Sequence, residues 1–286
     1  MDDPTALPID LLNQARAYAR EGDIYQAVKV YRLILRQCPN WPEPACELGQ
    51  LYANRREWKP TLHYLKKALA LKPHDRNLWW AVGTAATALQ KERLARSIWA
   101  KFGWTLPFPR RGESVVVRHQ QGGYYEILWA HRLGPVTAVL ASIPSPDSGL
   151  AHRDEVLLDG KASGYHILGR RRFPVFDLLD VQKRSHYLTW SCPLRHTEAE
   201  AVEVLAGLCT QQGVGFENWS NASRSWQGAY GNPEYYHHPM PAAAWEEDIL
   251  VAFASPQLQP VEDILQNWTV ITGGRYGALE AQPHPK

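Results

Sequence analysis

Chemically competent side chains cluster at a few places in this 286-residue chain. Adjacent His237 and His238 lie in "GAYGNPEYYHHPMPAAAW", residues 228–245; Cys192 and His196 lie in "CPLRH"; Arg170, Arg171 and Arg172 lie in "GRRRFP". Neighbouring imidazoles suit a metal ion, a thiol beside an imidazole suits nucleophilic chemistry, and clustered guanidiniums suit phosphate. Spacing weakens each reading. Adjacent residues of an extended chain point to opposite sides, so His237 and His238 do not readily share one ion, and no HExxH or CxxC motif supplies further ligands. Pro193 and a strand-to-helix corner aim Cys192 and His196 unpredictably, with no orienting third group or oxyanion motif in sight. Arginines at a strand end are more often solvated or paired with acids such as Asp177 and Asp180. The expectation is a protein that is not an enzyme, with no catalytic residue, no metal site and no cofactor.

What is left of residues 228–245 is Tyr230, Tyr235, Tyr236 and Trp245 beside His237 and His238, among prolines and glycines. Such a stretch presents rigid aromatic area at low entropic cost, which predicts a partner-contact loop; packing across a sheet is the alternative.

These stretches need elements to position them. The length allows about two domains, and 45% hydrophobic content allows real cores. No run of about 18 apolar residues appears. The acidic start "MDDPTALPIDLLNQ" lacks a basic region followed by an apolar one. A soluble, cytoplasmic protein without a membrane partner is therefore expected. Cys38, Cys46, Cys192 and Cys209 are too sparse for a disulfide framework and read as reduced thiols. Charge is uneven: residues 1–107 carry net +6, 108–195 carry +4, and 196–286 carry −8. A basic front suits an acidic partner or the chain's own acidic end.

Pro39, Pro73 and Pro107 stand 34 residues apart, and other positions repeat in phase. Small Ala27, Thr61 and Ala95 recur before bulky Tyr31, Leu65 and Trp99, with Ala15, Gly49 and Gly83 upstream. The physical reading is a pair of antiparallel helices per repeat, small residues marking where helices cross and proline stopping the second helix.

With "LGQLY…TLHYLKKALALKP" as its most regular unit, the stretch 8–107 resembles the tetratricopeptide-repeat family, three repeats long. Gln14 and Ala86 replace the large residues usual there, so both end repeats are modified. The resemblance implies a concave groove that holds a peptide or helix of another protein, lined by Leu12, Arg16, Arg20, Cys46, Gln50, Asn54, Asn77, Trp80 and Thr84. The clamp that captures chaperone carboxylates in some members is absent, its places being held by Leu12, Arg16, Glu47, Asn77 and Ala81. Arg16, Arg20 and Trp80 suit an acidic or aromatic segment; a solvated helix face around a structural tryptophan is the alternative.

After Pro107, short β-branched and aromatic runs ("SVVVRHQ", "YYEILWAHRLG", "TAVLASIP", "DEVLLDG", "ASGYHILGRR") predict five strands in a small antiparallel barrel or sandwich over 108–185. Leu128-Trp129-Ala130, Leu133-Gly134, Ile143-Pro144, Gly149-Leu150 and Asp154-Glu155-Val156 resemble a bacterial family known as a domain of unknown function, with Arg153 where glycine is usual. From 186 to 286 the order strand, helix, strand, long loop (220–245), strand, helix, strand predicts a ferredoxin-like βαββαβ domain, its first helix opened by a Thr197/Glu200 capping box and stopped by Gly213. The whole is a multidomain chain: a helical array (1–107), a small β domain (108–185) and an α+β domain (186–286). The function expected is an adaptor or scaffold that binds another protein. The alternative is a small-molecule sensor built on the ferredoxin-like domain and the 228–245 loop. Nucleic acid is not expected as a partner, since "DILVAFAS" lacks the basic-aromatic signature of RNA-recognition strands and its region is acidic.

Overall fold

A computed structural model describes residues 6–104, 112–195, 197–220, 225–226 and 248–283. The chain divides into two compact units, Met1–Leu106 and Pro107–Lys286.

The first unit contains six helices: α1 (Ala6–Glu21), α2 (Ile24–Gln37), α3 (Pro42–Asn54), α4 (Trp58–Leu71), α5 (Arg76–Ala88) and α6 (Glu92–Lys101). Asp23 caps α2 by accepting from the Gln26 amide, and Asp75 caps α5 by accepting from the amides of Asn77 and Leu78. The turns within the pairs place Gly22, Arg56 and Gln90 at φ of 84°, 59° and 53°. These positions are one repeat apart, so each pair closes through a left-handed residue at the same place, though only the first is the glycine that tolerates it freely.

Helix crossings fall where the small residues stand. A Cβ on Gly49 would lie 2.8 Å from Leu65 Cδ2, and one on Gly83 would lie 2.7 Å from the Trp99 indole. Ala15 meets this requirement in the first pair, opposite Tyr31, both being buried. Burying a side chain such as Leu65 contributes about 1.5–3 kcal/mol. Ala27, Ala68 and Ala95 are buried as their places in the repeat require.

The second unit holds two sheets. In the first, β1 (Ser114–Gln121), β2 (Tyr124–Arg132), β3 (Thr137–Leu140), β4 (Glu155–Leu168) and β5 (Arg171–Lys183) pair successively, and β5 returns to β1. Successive antiparallel strands alternate in direction, so the first and fifth run the same way and the closing β1–β5 pair is parallel. That corrects the wholly antiparallel expectation. Alternate residues point inward, including Val115, Val117, Leu128, Ala130, Val156 and Leu158. Two expected strands, "DEVLLDG" and "ASGYHILGRR", are one strand, β4, whose register with β5 slips between Leu158 and Ala162; Asp159-Gly160 lies at an irregularity and not at a turn. β5 itself was not foreseen.

The second sheet runs β10 (Arg275–Tyr276), β6 (Leu188–Arg195), β9 (Ile249–Ser255), β7 (Gly215–Asn218), all antiparallel, with β11 (Glu280–Ala281) also on β6. Helices α7 (Ala199–Gln212) and α8 (Gln259–Thr272) cover one face through Leu205, Cys209, Ile264, Leu265 and Trp268. Gly213 ends α7 at φ 70°. The capping box is not formed: α7 has Glu198 at its N-cap without a side-chain bond, and Thr197 donates to the Arg195 carbonyl.

The other face of this sheet, through Ala252 and Ala254, packs on Ile143. The Ile143 amide donates to Glu217 at 2.8 Å, and the Trp219 indole N–H donates to the Ile143 carbonyl at 3.0 Å. A short strand from the rear, β8 (Ser225–Trp226), pairs with β2. Arg153 adopts φ 71°, a left-handed conformation that glycine tolerates more freely than arginine. Next to it, fully buried Asp154 accepts from the amides of Ala151 and Ser185 and from the Arg184 guanidinium, satisfying a charge that would otherwise be costly.

Candidate functional site

The inner helices α1, α3 and α5 carry the residues assigned to the groove. Arg16, Arg20, Gln50, Asn54 and Asn77 are exposed, and Cys46 and Trp80 are half-buried. Arg16 and Gln50 occupy equivalent repeat positions, as do Arg20 and Asn54. Gln50 donates to Asn54 at 3.0 Å, one helical turn away. Leu12 and Thr84 are corrections to the groove lining. Leu12 is buried in the helical core with Ala15, Tyr31 and Leu48, and Thr84 is buried with its hydroxyl donating to the Trp80 carbonyl.

Two further side chains are engaged otherwise than their types suggest. Arg16 forks onto Glu47, its Nε 3.0 Å from one oxygen, and Glu47 also accepts from the Tyr31 hydroxyl at 3.0 Å. Burial first, and then Glu47, push the Tyr31 phenol upward, so it stays a neutral donor. The Arg16 charge is compensated at home, leaving Arg20 as the other cation among the residues assigned to the groove. Trp80 packs edge-on against Trp99 and Phe102, both at 5.0 Å between ring centres, with Arg76 over Phe102 at 5.1 Å. Its indole N–H is buried without a hydrogen-bond acceptor. Trp80 is part of an aromatic cluster near the start of α5, not an open stacking platform. Trp99 is likewise buried, held by a 3.0 Å bond from its indole N–H to Thr87.

Side chains proposed for chemistry elsewhere fall apart. Cys192 and Cys209 are free and buried, and burial pushes both thiols up to about 12, away from a reactive thiolate. His196 lies outside the described residues. Arg171 and Arg172 begin β5, with Arg172 over the Tyr165 ring at 4.8 Å, and Asp177 pairs instead with Arg118. The aromatic loop residues Tyr230, Tyr235, Tyr236, His237, His238 and Trp245 lie outside the described residues. Among the described residues, no group of three or more His, Cys, Asp or Glu could hold a metal, and no helix is long and apolar enough to cross a membrane.

A concavity elsewhere on the helical unit was not anticipated. It lies along α2 and the turn from α3 to α4, has a volume of about 560 Å³, and is lined by basic and aromatic side chains. Ile24, Val28, Arg32 and Arg36 recur every four residues on one face of α2, a signal present in the sequence but read only as helix.

Residues 10–51 match the tetratricopeptide repeat family. The crystal structure of yeast Tom70 is similar over 37% of this chain and 22% of its own, with 20% identity and a TM-score of 0.33. The Sgt2 TPR domain from Aspergillus fumigatus is similar over 35% of this chain and 64% of its own, with 16% identity and a TM-score of 0.30. A hypothetical protein from Neisseria gonorrhoeae is similar over 59% of this chain and 94% of its own, with 13% identity and a TM-score of 0.27. No curated protein matches the chain. The helical front therefore contains a tetratricopeptide-repeat segment, joined in one chain to a β-rich region of two sheets.

Proposed function

We propose that the chain is a non-enzymatic adaptor whose helical front holds a peptide or short helix of another protein against α1, α3 and α5. The observation that carries this reading is the repetition of exposed polar side chains at equivalent positions of successive inner helices, Arg20 with Asn54 above all. An extended or helical segment lying across the repeats meets hydrogen-bonding groups at regular intervals. In this reading the contact set is Arg20, Cys46, Gln50, Asn54 and Asn77, with Arg16 and Trp80 as supports. The buried, protonated thiols of the rear favour a binding role over catalysis.

The rear is proposed to be two lobes, 108–185 and 186–286, the second ferredoxin-like. Its strand order, β10-β6-β9-β7 with both helices on one face, supports that assignment. The test is quantitative co-purification with the full chain and with an Arg20→Glu/Asn54→Arg variant. A partner depleted roughly tenfold or more from the variant, with helical content unchanged, fits the proposal (a loss of ~1.4 kcal/mol). A partner set identical for the two proteins refutes it.

A further inference from the structure

The groove along α2 lies on the second helix of its repeat, and none of the inner-face residues lines it. Its walls carry Lys29, Arg32, Arg36 and Arg55 against one acid, Glu57. Glu57 is spent on Arg55, 2.5 Å away. Among the described residues, no acid pairs with Lys29, Arg32 or Arg36.

Arg32 is held in a way that keeps its charge available. Its Nε donates to the Tyr64 hydroxyl and its Nη2 to the Tyr52 hydroxyl, both at 3.2 Å. Two hydroxyls hold the guanidinium where a carboxylate partner would have neutralised it, so its remaining N–H groups are oriented before any ligand arrives. Beside these cations, Ile24 and Val28 form an apolar strip, and Tyr25 stands 75% exposed. The size falls within the range of small-ligand and peptide sites, about 300–1,000 Å³.

We propose that this outer groove is a second binding site, for an acidic peptide segment of a partner protein that carries a large apolar side chain. Carboxylates of the segment pair with Lys29, Arg32 and Arg36 through charge-assisted bonds, while its apolar residue lies on Ile24, Val28 and Tyr25. The cations suit either anion, and the apolar strip of Ile24 and Val28 favours a peptide over nucleic acid, which would bring no aliphatic anchor. The site is independent of the inner-face reading, and the two can fail separately.

The experiment is fluorescence anisotropy on the full chain with a labelled peptide of alternating glutamate and leucine. Its lysine–leucine counterpart, a labelled oligothymidylate and inorganic phosphate serve as comparisons. The glutamate peptide should bind, weaken with added salt, and lose roughly tenfold or more in affinity with Lys29→Glu/Arg36→Glu, about 1.4 kcal/mol. These positions are exposed and unpaired, so the reversal spares the helices. The same variant should gain affinity for the lysine peptide, a readout that misfolding does not produce. Arg20→Glu/Asn54→Arg separates the two faces: the loss caused by Lys29→Glu/Arg36→Glu should be of the same size in that background as in the wild-type chain, and its disappearance there would move the acidic-peptide site to the inner face and overturn the proposal. The proposal is overturned if the Lys29/Arg36 reversal changes nothing, if oligothymidylate binds the wild-type chain more tightly than the glutamate peptide, or if millimolar phosphate displaces the peptide completely.

Discussion

Replacing Gly83 by alanine should destabilise the helical unit even though alanine is the better helix former. On propensity alone the change in α5 would gain about 0.8–1 kcal/mol. The added methyl, however, would stand 2.7 and 2.9 Å from two carbons of the Trp99 indole and 3.0 Å from Ile98 Cγ2. Trp99 has little room to retreat: Trp80 and Phe102 flank it at 5.0 and 6.1 Å, and its N–H is bonded to Thr87. Overpacking of this kind costs about 1–3 kcal/mol, so the net expectation is a loss of about 1 kcal/mol. For a unit of this size that lowers the melting temperature by about 4–8 °C. Gly207, mid-way along α7 with nothing within 4 Å of an added Cβ, supplies the control. There the same substitution should stabilise by about 0.8–1 kcal/mol. Thermal unfolding of the full chain by far-ultraviolet circular dichroism, with hydrogen exchange assigning each transition to its unit, reads both. If Gly83→Ala stabilises as much as Gly207→Ala, the close α5–α6 crossing and the repeat register built on it are wrong.

Burial depresses the His152 imidazole to about 4 from its ordinary 6.5. The unfolded chain therefore takes up that proton first, so the contribution to stability is complete above about pH 6.5 and is lost as pH falls toward 4, at up to ~1.4 kcal/mol per unit. His152→Asn, compared with wild type by urea denaturation across this range, should flatten the dependence; an unchanged slope rejects the assignment. Gln90→Gly should stabilise by about 0.5–1 kcal/mol and Gln90→Val destabilise by about 1–2 kcal/mol, because residue 90 is left-handed; equal effects on the urea midpoint would show the turn is otherwise. In the native chain a thiol reagent should label half-buried Cys38 and Cys46 well before buried Cys192 and Cys209, and equal rates by mass spectrometry would contradict the packing of the second sheet.

The helical unit was legible because its constraint is written in residue size: Gly49 opposite Leu65 and Gly83 opposite Trp99 repeat the crossing that Ala15 makes with Tyr31. The turns were half legible. Gly22 announces the first, but Arg56 and Gln90 adopt the same backbone without glycine, since packing of the flanking helices outweighs a local cost of about 1–2 kcal/mol. Strand β5 stayed hidden because "RRFPVFDLLDVQK" opens with charge and contains Pro174, both ordinarily marks against a strand; here it is paired along its length with β4. For the residues assigned to the inner face, repeat spacing says nothing of engagement. Nothing local says that Glu47, 31 residues on, takes the Arg16 charge, or that Trp80 turns into a cluster with Trp99 and Phe102. The outer groove was missed for the converse reason: its basic residues read as an ordinary solvated helix face until Tyr52 and Tyr64 are brought beside Arg32.

Hydrogen exchange of the full chain, with and without the partner recovered by co-purification, tests the adaptor account most directly. The account predicts slowed exchange in peptides covering α1, α3 and α5, centred on Arg20, Gln50 and Asn54, and its loss in Arg20→Glu/Asn54→Arg. Protection confined to the two-sheet unit, with the helical array exchanging as in the free protein, would contradict it.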